Sequence, residues 1–87
     1  MTVYKFTVNG VVVLRVVYDK DECKYKVVEY RVTKPLRLTF ECHGEFILES
    51  NAVQLAHKVM RDMLSKGDEY TMVHIPTGEK HFYEVTH

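Results

Sequence analysis

The sequence predicts an α+β fold: an antiparallel β-sheet of five to seven strands, in the order βββββ-α-ββ, packed against one amphipathic helix. Three observations carry that prediction. β-forming runs recur between short turn clusters through residues 1–50 and again through 69–85. Asn9-Gly10 sits between two such runs. Only residues 51–66 repeat their apolar positions at helical spacing.

Residues 3–8 and 11–18 flank Asn9-Gly10, and a type I′ turn needs positive φ at both central residues, which Asn and Gly tolerate. That turn sets Val8 opposite Val11, Phe6 opposite Val13 and Tyr4 opposite Arg15. A second hairpin turns at Asp19-Lys20-Asp21-Glu22 into residues 23–32, pairing Val16 with Tyr25 and Leu14 with Val27 on one face. On the other, Arg15 meets Lys26 and Val13 meets Val28. Thr33-Lys34-Pro35 ends this strand, because proline cannot donate to a ladder. Residues 36–42 alternate, with Leu36, Leu38, Phe40 and Cys42 inward. Cys42-His43-Gly44 reads as a three-residue loop that returns Phe46 to Phe40 and Leu48 to Leu38; a two-residue loop would set Phe40 against Ile47 instead. A helix capped at Ser50 or Asn51 runs to about Lys66 and stops at Gly67. Ala52, Val53, Leu55, Ala56, Val59, Met60, Met63 and Leu64 form its apolar half. Residues 70–75 and 80–85 make the last hairpin around Pro76-Thr77-Gly78-Glu79.

The 87 residues are expected to form one domain, 1–87, with a modest core. The apolar fraction of 46% is too high for disorder. The longest apolar run, residues 11–14, is far too short to span a membrane, so no membrane partner is expected. Met1 leads directly into a strand pattern containing Lys5, so no signal peptide is read and the expected location is cytoplasmic. Cys23 and Cys42 make no paired motif and are expected as reduced, mostly buried thiols. The 12 basic and 12 acidic residues cancel. Residues 1–37 nonetheless hold eight Lys or Arg against four acids, and residues 38–87 the reverse, which hints at one basic end.

No residue pattern points to catalysis, and the chain is expected not to be an enzyme. Asp19, Asp21, Glu22, Asp68 and Glu69 read as solvated turn acids. Ser50 and Ser65 read as helix-end residues. His43, His57, His74, His81 and His87 match no metal-ligand spacing; His74 and His81 would face each other near Cys42 or Glu84 only under one loop length. No metal and no cofactor is expected.

One pattern stands out. Residues 11–18 are apolar at both parities, whereas a half-solvated antiparallel strand should alternate. Near Asn9-Gly10 the second face gathers Phe6, Val8, Val11, Val13, Val28 and Tyr30. One helix covers one face; the other needs the later strands or another molecule. The leading expectation is a small protein-binding module, in the manner of small inhibitors, antitoxins or viral host-takeover proteins, acting through a sheet face or edge strand. Its contact residues would be Phe6, Val8, Val13, Val28 and Tyr30, rimmed by Arg15, Lys24 and Lys26. The alternative is a nucleic-acid-binding face of Tyr4, Arg15, Lys24, Lys26, Arg31 and Arg37, mixing cations with aromatics. A third reading is a self-associating structural protein, a homodimer.

Overall fold

The computed structural model describes the backbone of residues 1–33 and 37–86, and the side chains of residues 1–31 and 38–86. Strands β1 (Thr2–Val8), β2 (Val11–Asp19), β3 (Lys24–Thr33) and β4 (Arg37–Phe46) precede helix α1 (Glu49–Met63). Strands β5 (Glu69–His74) and β6 (Glu79–Glu84) follow it. The six strands form one antiparallel sheet in the order β4-β3-β2-β1-β5-β6. The α+β class and the antiparallel sheet against one helix are as the sequence predicts. No helix among the described residues is long and apolar enough to cross a membrane.

Asn9 and Gly10 hold φ of 51° and 79°, the left-handed pair a type I′ turn demands, and Val8 faces Val11. Past that turn the expected register fails. Thr7 pairs with Val12 but Phe6 pairs with Leu14, so Val13 is an extra residue in a β-bulge. A one-residue shift turns a strand over relative to its partner. Phe6 therefore shares a face with Leu14 rather than Val13, and Tyr4 pairs with Val16 rather than Arg15.

The second hairpin is shifted by two. Asp19 pairs with Lys24, so Val16 meets Val27 and Arg15 meets Val28. The Asp19 carboxylate draws the loop closed by accepting from the backbone N–H groups of Asp21 and Glu22 at 3.0 and 3.3 Å. Cys23 takes the left-handed position at φ 55°. An even shift leaves each side chain on its expected face.

The expected hairpin at Cys42-His43-Gly44 does not form. β4 runs through it, with Val28 opposite Cys42, Val27 opposite Gly44, and His43 bulged between them. Phe46 therefore pairs with Tyr25, not Phe40, and Leu48 lies outside the sheet. Gly44 serves close packing rather than a turn: a Cβ there would lie 2.8 Å from Leu55 Cδ2 of the helix. The expected strand stop at Lys34-Pro35, the inward Leu36 and the side chain of Arg37 lie outside the described residues.

The helix starts at Glu49 with Leu48 as N-cap and no side-chain cap bond, so neither Ser50 nor Asn51 caps it. It ends at Met63, before Gly67, whose φ of 90° instead serves the turn into β5. Ala52, Ala56, Val59 and Met60 are its buried stripe, while Met63 is exposed. That stripe packs over β2, β3 and β4. With Phe6, Leu14, Val16, Val27, Tyr70, Met72 and Val85 it forms the core. The C-terminal hairpin lies beside β1 in the same sheet and does not fold across it.

Candidate partner-binding face

Residues paired across neighbouring strands project to the same side of a sheet, which sorts each candidate. Phe6 is 0% exposed beneath the helix and is removed as a contact residue. Val8 and Val13 are half-buried and pack against the same core, because the bulge turns Val13 toward the helix beside Leu14. Val28 and Tyr30 do lie on the other face, with Arg15, Lys24 and Lys26. Tyr4 is on the helix side: its hydroxyl donates to Glu49 Oε2 at 3.4 Å and its ring lies 4.8 Å from that of His74. Tyr4 therefore cannot join Arg15 on one basic face.

The helix-free face is read strand by strand from the register. One row crosses the whole sheet as Lys80, Val73, Lys5, Arg15, Val28 and Cys42. Beside it stand Tyr30 and Phe40, paired between β3 and β4 with ring centroids 4.8 Å apart in an edge-to-face arrangement. Phe40 is 62% exposed. The Arg15 guanidinium lies 4.2 Å above the Tyr30 ring, a cation–π contact. Tyr4 was expected opposite Arg15; the bulge turns Tyr4 to the helix side, and the two-residue shift of the second hairpin brings Arg15 beside Val28 and Tyr30. Next to it a depression of about 790 Å³ is lined by Val17, Val28, Tyr30, Lys26 and the Asp19–Asp21 turn.

Charge divides this face in two. Lys26 Nζ lies 3.1, 2.9 and 3.4 Å from carboxylate oxygens of Asp19, Glu22 and Glu45. Those three acids hold the Lys26 ammonium firmly charged, and the bond from Lys26, with the backbone N–H groups of Glu22 and Asp21, pulls the Asp19 carboxyl below its usual range. Lys24 approaches Glu45 at 3.9 Å. That end is neutralised from within. Lys5 and Arg15 are different: they sit directly opposite each other, and no carboxylate among the described residues pairs with either. Like charges placed so on paired strands repel.

On the helix side, Arg31 joins a second network. Its Nε bonds Glu29 Oε2 at 2.6 Å and its Nη2 bonds Glu41 Oε2 at 2.8 Å, while His43 Nε2 lies 2.7 Å from Glu29 Oε1. Glu29 is 7% exposed, and the Arg31 bond holds its carboxyl below the ordinary range against the opposing cost of burial. Oxygen and nitrogen atoms of Glu29, Glu41 and His43 lie within 4.8 Å of one another, the one potential metal-ligand group among the described residues. The guanidinium already supplies the positive charge between the two carboxylates. Arg31 is thus engaged internally and does not share a face with Lys24 and Lys26. His74 and His81 are not paired: Met72 faces His81, and His74 Nδ1 lies 2.8 Å from the Thr77 hydroxyl.

Both cysteines are free and exposed, not buried as expected, because one lies in a loop and the other on the open face of an edge strand. No family model, curated protein or solved structure matches the chain.

One cluster went unread in the sequence. His57 Nδ1 lies 2.7 Å from the Tyr70 hydroxyl, and Tyr83 stacks on Tyr70 at 5.2 Å. Burial, and then the Arg61 charge, lower the imidazole's proton affinity, while burial raises the Tyr70 phenol. Both groups are neutral near pH 7, and the bond satisfies two polar groups at the edge of the core. Helical residue 57 and strand residue 70 share no sequence spacing that could have announced the contact.

Proposed function

We propose that the protein is a small non-enzymatic binding module whose helix-free sheet face receives a protein partner. The partner's matching surface is apolar against Val28, Tyr30 and Phe40 and carries carboxylates against Lys5 and Arg15. The observation that carries this reading is the Lys5–Arg15 pair, two cations set opposite each other beside half-buried Tyr30 and exposed Phe40. Within the chain the arrangement is unfavourable; against an acidic surface it becomes complementary. The depression beside Tyr30 offers an apolar anchor point of the kind that dominates protein interfaces.

Nucleic acid is the second reading, favoured by the same cations and aromatics. Three features favour protein over it. Net charge is zero. Asp19, Glu22 and Glu45 neutralise Lys24 and Lys26, which interrupts any basic track for a phosphate chain. The Tyr30 ring is already covered by Arg15 and edged by Phe40, leaving little of it for a base.

The test is affinity capture from an extract of the source cells, with wild type, Lys5→Glu/Arg15→Glu and Phe40→Ser as baits, each with and without nuclease. A protein that survives nuclease and is lost with both face variants supports the reading. Capture abolished by nuclease, with steep salt dependence, replaces it with nucleic-acid binding. Capture that all three baits perform equally overturns both.

A further inference from the structure

The outer strand β6 has the pattern of a self-complementary edge, and we propose that two copies of the chain pair antiparallel through it, with the two-fold axis at Phe82. β6 closes one side of the sheet, so half of its backbone groups have no strand among the described residues to bond. Which half is fixed by one bond: Val85 N–H donates to the Asp68 carbonyl at 2.8 Å. In an antiparallel ladder the direction alternates along the strand, so Lys80, Phe82 and Glu84 turn their N–H and C=O groups outward.

The same three residues project their side chains to the helix-free face. Phe82 is 80% exposed, the most exposed large apolar side chain of the described residues. Lys80 and Glu84 stand two positions to either side of it, with opposite charge. When Phe82 faces Phe82 of a second copy, Lys80 faces Glu84 and Glu84 faces Lys80. Each of these three pairings can exchange two backbone bonds, about six in all. On the helix side His81 faces Tyr83, again twice. Sliding one copy by two residues sets Phe82 against Lys80 or Glu84 and loses both ion pairs, so the charges also specify the register.

Protective edge charges work by repelling a second copy, which needs one sign or an inward-pointing charge. Here the signs are opposed and equidistant from an exposed ring, so a second copy is attracted. The joined sheets would run continuously through β6, and the two helix-free faces would lie on the same side of the assembly. This inference stands independently of the partner proposed above, which binds at the other half of the face.

Sedimentation equilibrium of the full chain over a wide concentration range tests it. The wild type should pass from monomer to dimer mass as concentration rises. Lys80→Glu and Glu84→Lys should each weaken the dimer at least tenfold, because each creates two like-charge pairs. The doubly exchanged Lys80→Glu/Glu84→Lys chain should dimerise as the wild type does. Phe82→Asp, which sets two carboxylates together on the axis, should abolish the dimer while circular dichroism shows the fold retained. A wild type that stays monomeric throughout overturns the proposal. So does a dimer indifferent to the single exchanges, or a folded double exchange that fails to recover.

Discussion

The two faces of the sheet are built from the same strands and treated in opposite ways. Toward the helix, Phe6, Leu14, Val16 and Val27 are sealed under Ala52, Ala56, Val59 and Met60. On the other side Val17, Val28 and Tyr30 are only half-buried, Phe40 and Phe82 are exposed, and Lys5 meets Arg15 with no carboxylate of the described residues paired to either. Each sealed large side chain stabilises the fold by roughly 1.5–3 kcal/mol. The open side chains contribute much less to folding, so their apolar character is not explained by stability. The difference separates what holds the chain together from what it presents to others.

The largest expected effect belongs to the sealed face. Phe6→Ala should cost about 3–5 kcal/mol in urea unfolding, enough to unfold a chain of this size. Phe40→Ser, on the face of β4 turned away from the helix, should stay within about 0.5 kcal/mol. Equal losses at the two positions would break the comparison and mean that something in the fold covers Phe40.

Next comes the buried carboxylate. Glu29→Gln should cost about 1.5–3 kcal/mol, because it removes charge-assisted bonds to Arg31 and leaves that guanidinium with Glu41 alone. The same group makes the fold acid-sensitive. Its carboxyl ionises below the ordinary value of 4.5, so its stabilisation is complete above that pH and is lost as pH falls through the lowered folded value. His57 acts earlier. Its proton affinity is also lowered in the fold, so below the ordinary value of 6.5 the unfolded chain takes up a proton that the folded chain refuses. Thermal melting against pH should therefore decline in two stages, and His57→Phe should remove only the upper one. A melting temperature unchanged between pH 7 and 5 in the wild type would count against a half-buried neutral imidazole.

The smallest effect is the sharpest test of the open face. Lys5→Glu turns a repelling cross-strand pair into an attracting one and should raise stability by about 0.2–1 kcal/mol. The same change should weaken capture of an acidic partner. Gain of stability with loss of binding is the signature of a residue kept for contact; a loss in both would assign Lys5 to the fold.

Most of the elements were legible because their signals are local. Asn9-Gly10 fixed a hairpin through positive φ alone, and the apolar stripe of α1 followed from spacing. The second apolar face expected of β2 was misread, because the bulge turns Val13 to the helix side, where Phe6 and Val8 also pack. Membership of the faces was less legible. The bulge at Val13 turned Tyr4 and Phe6 over, which moved Phe6 from the expected contact surface into the core, and the shift of the second hairpin brought Arg15 to Tyr30. Gly44 looked like a turn glycine, yet it is a gap that Leu55 fills.

The sequence by itself determined the class of one antiparallel sheet against one helix, the hairpin at Asn9-Gly10 and the even-numbered face of β3 that carries Lys24, Lys26, Val28 and Tyr30. Those properties depend on backbone preference and on the alternation of a pleated strand, which act over a few residues. Only the tertiary structure decided which side of β1 meets the helix, that β4 runs on through His43, and that His57 meets Tyr70. Bulges and helix-to-strand contacts arise where distant surfaces must fit together, and the residues that settle them are far apart in the chain.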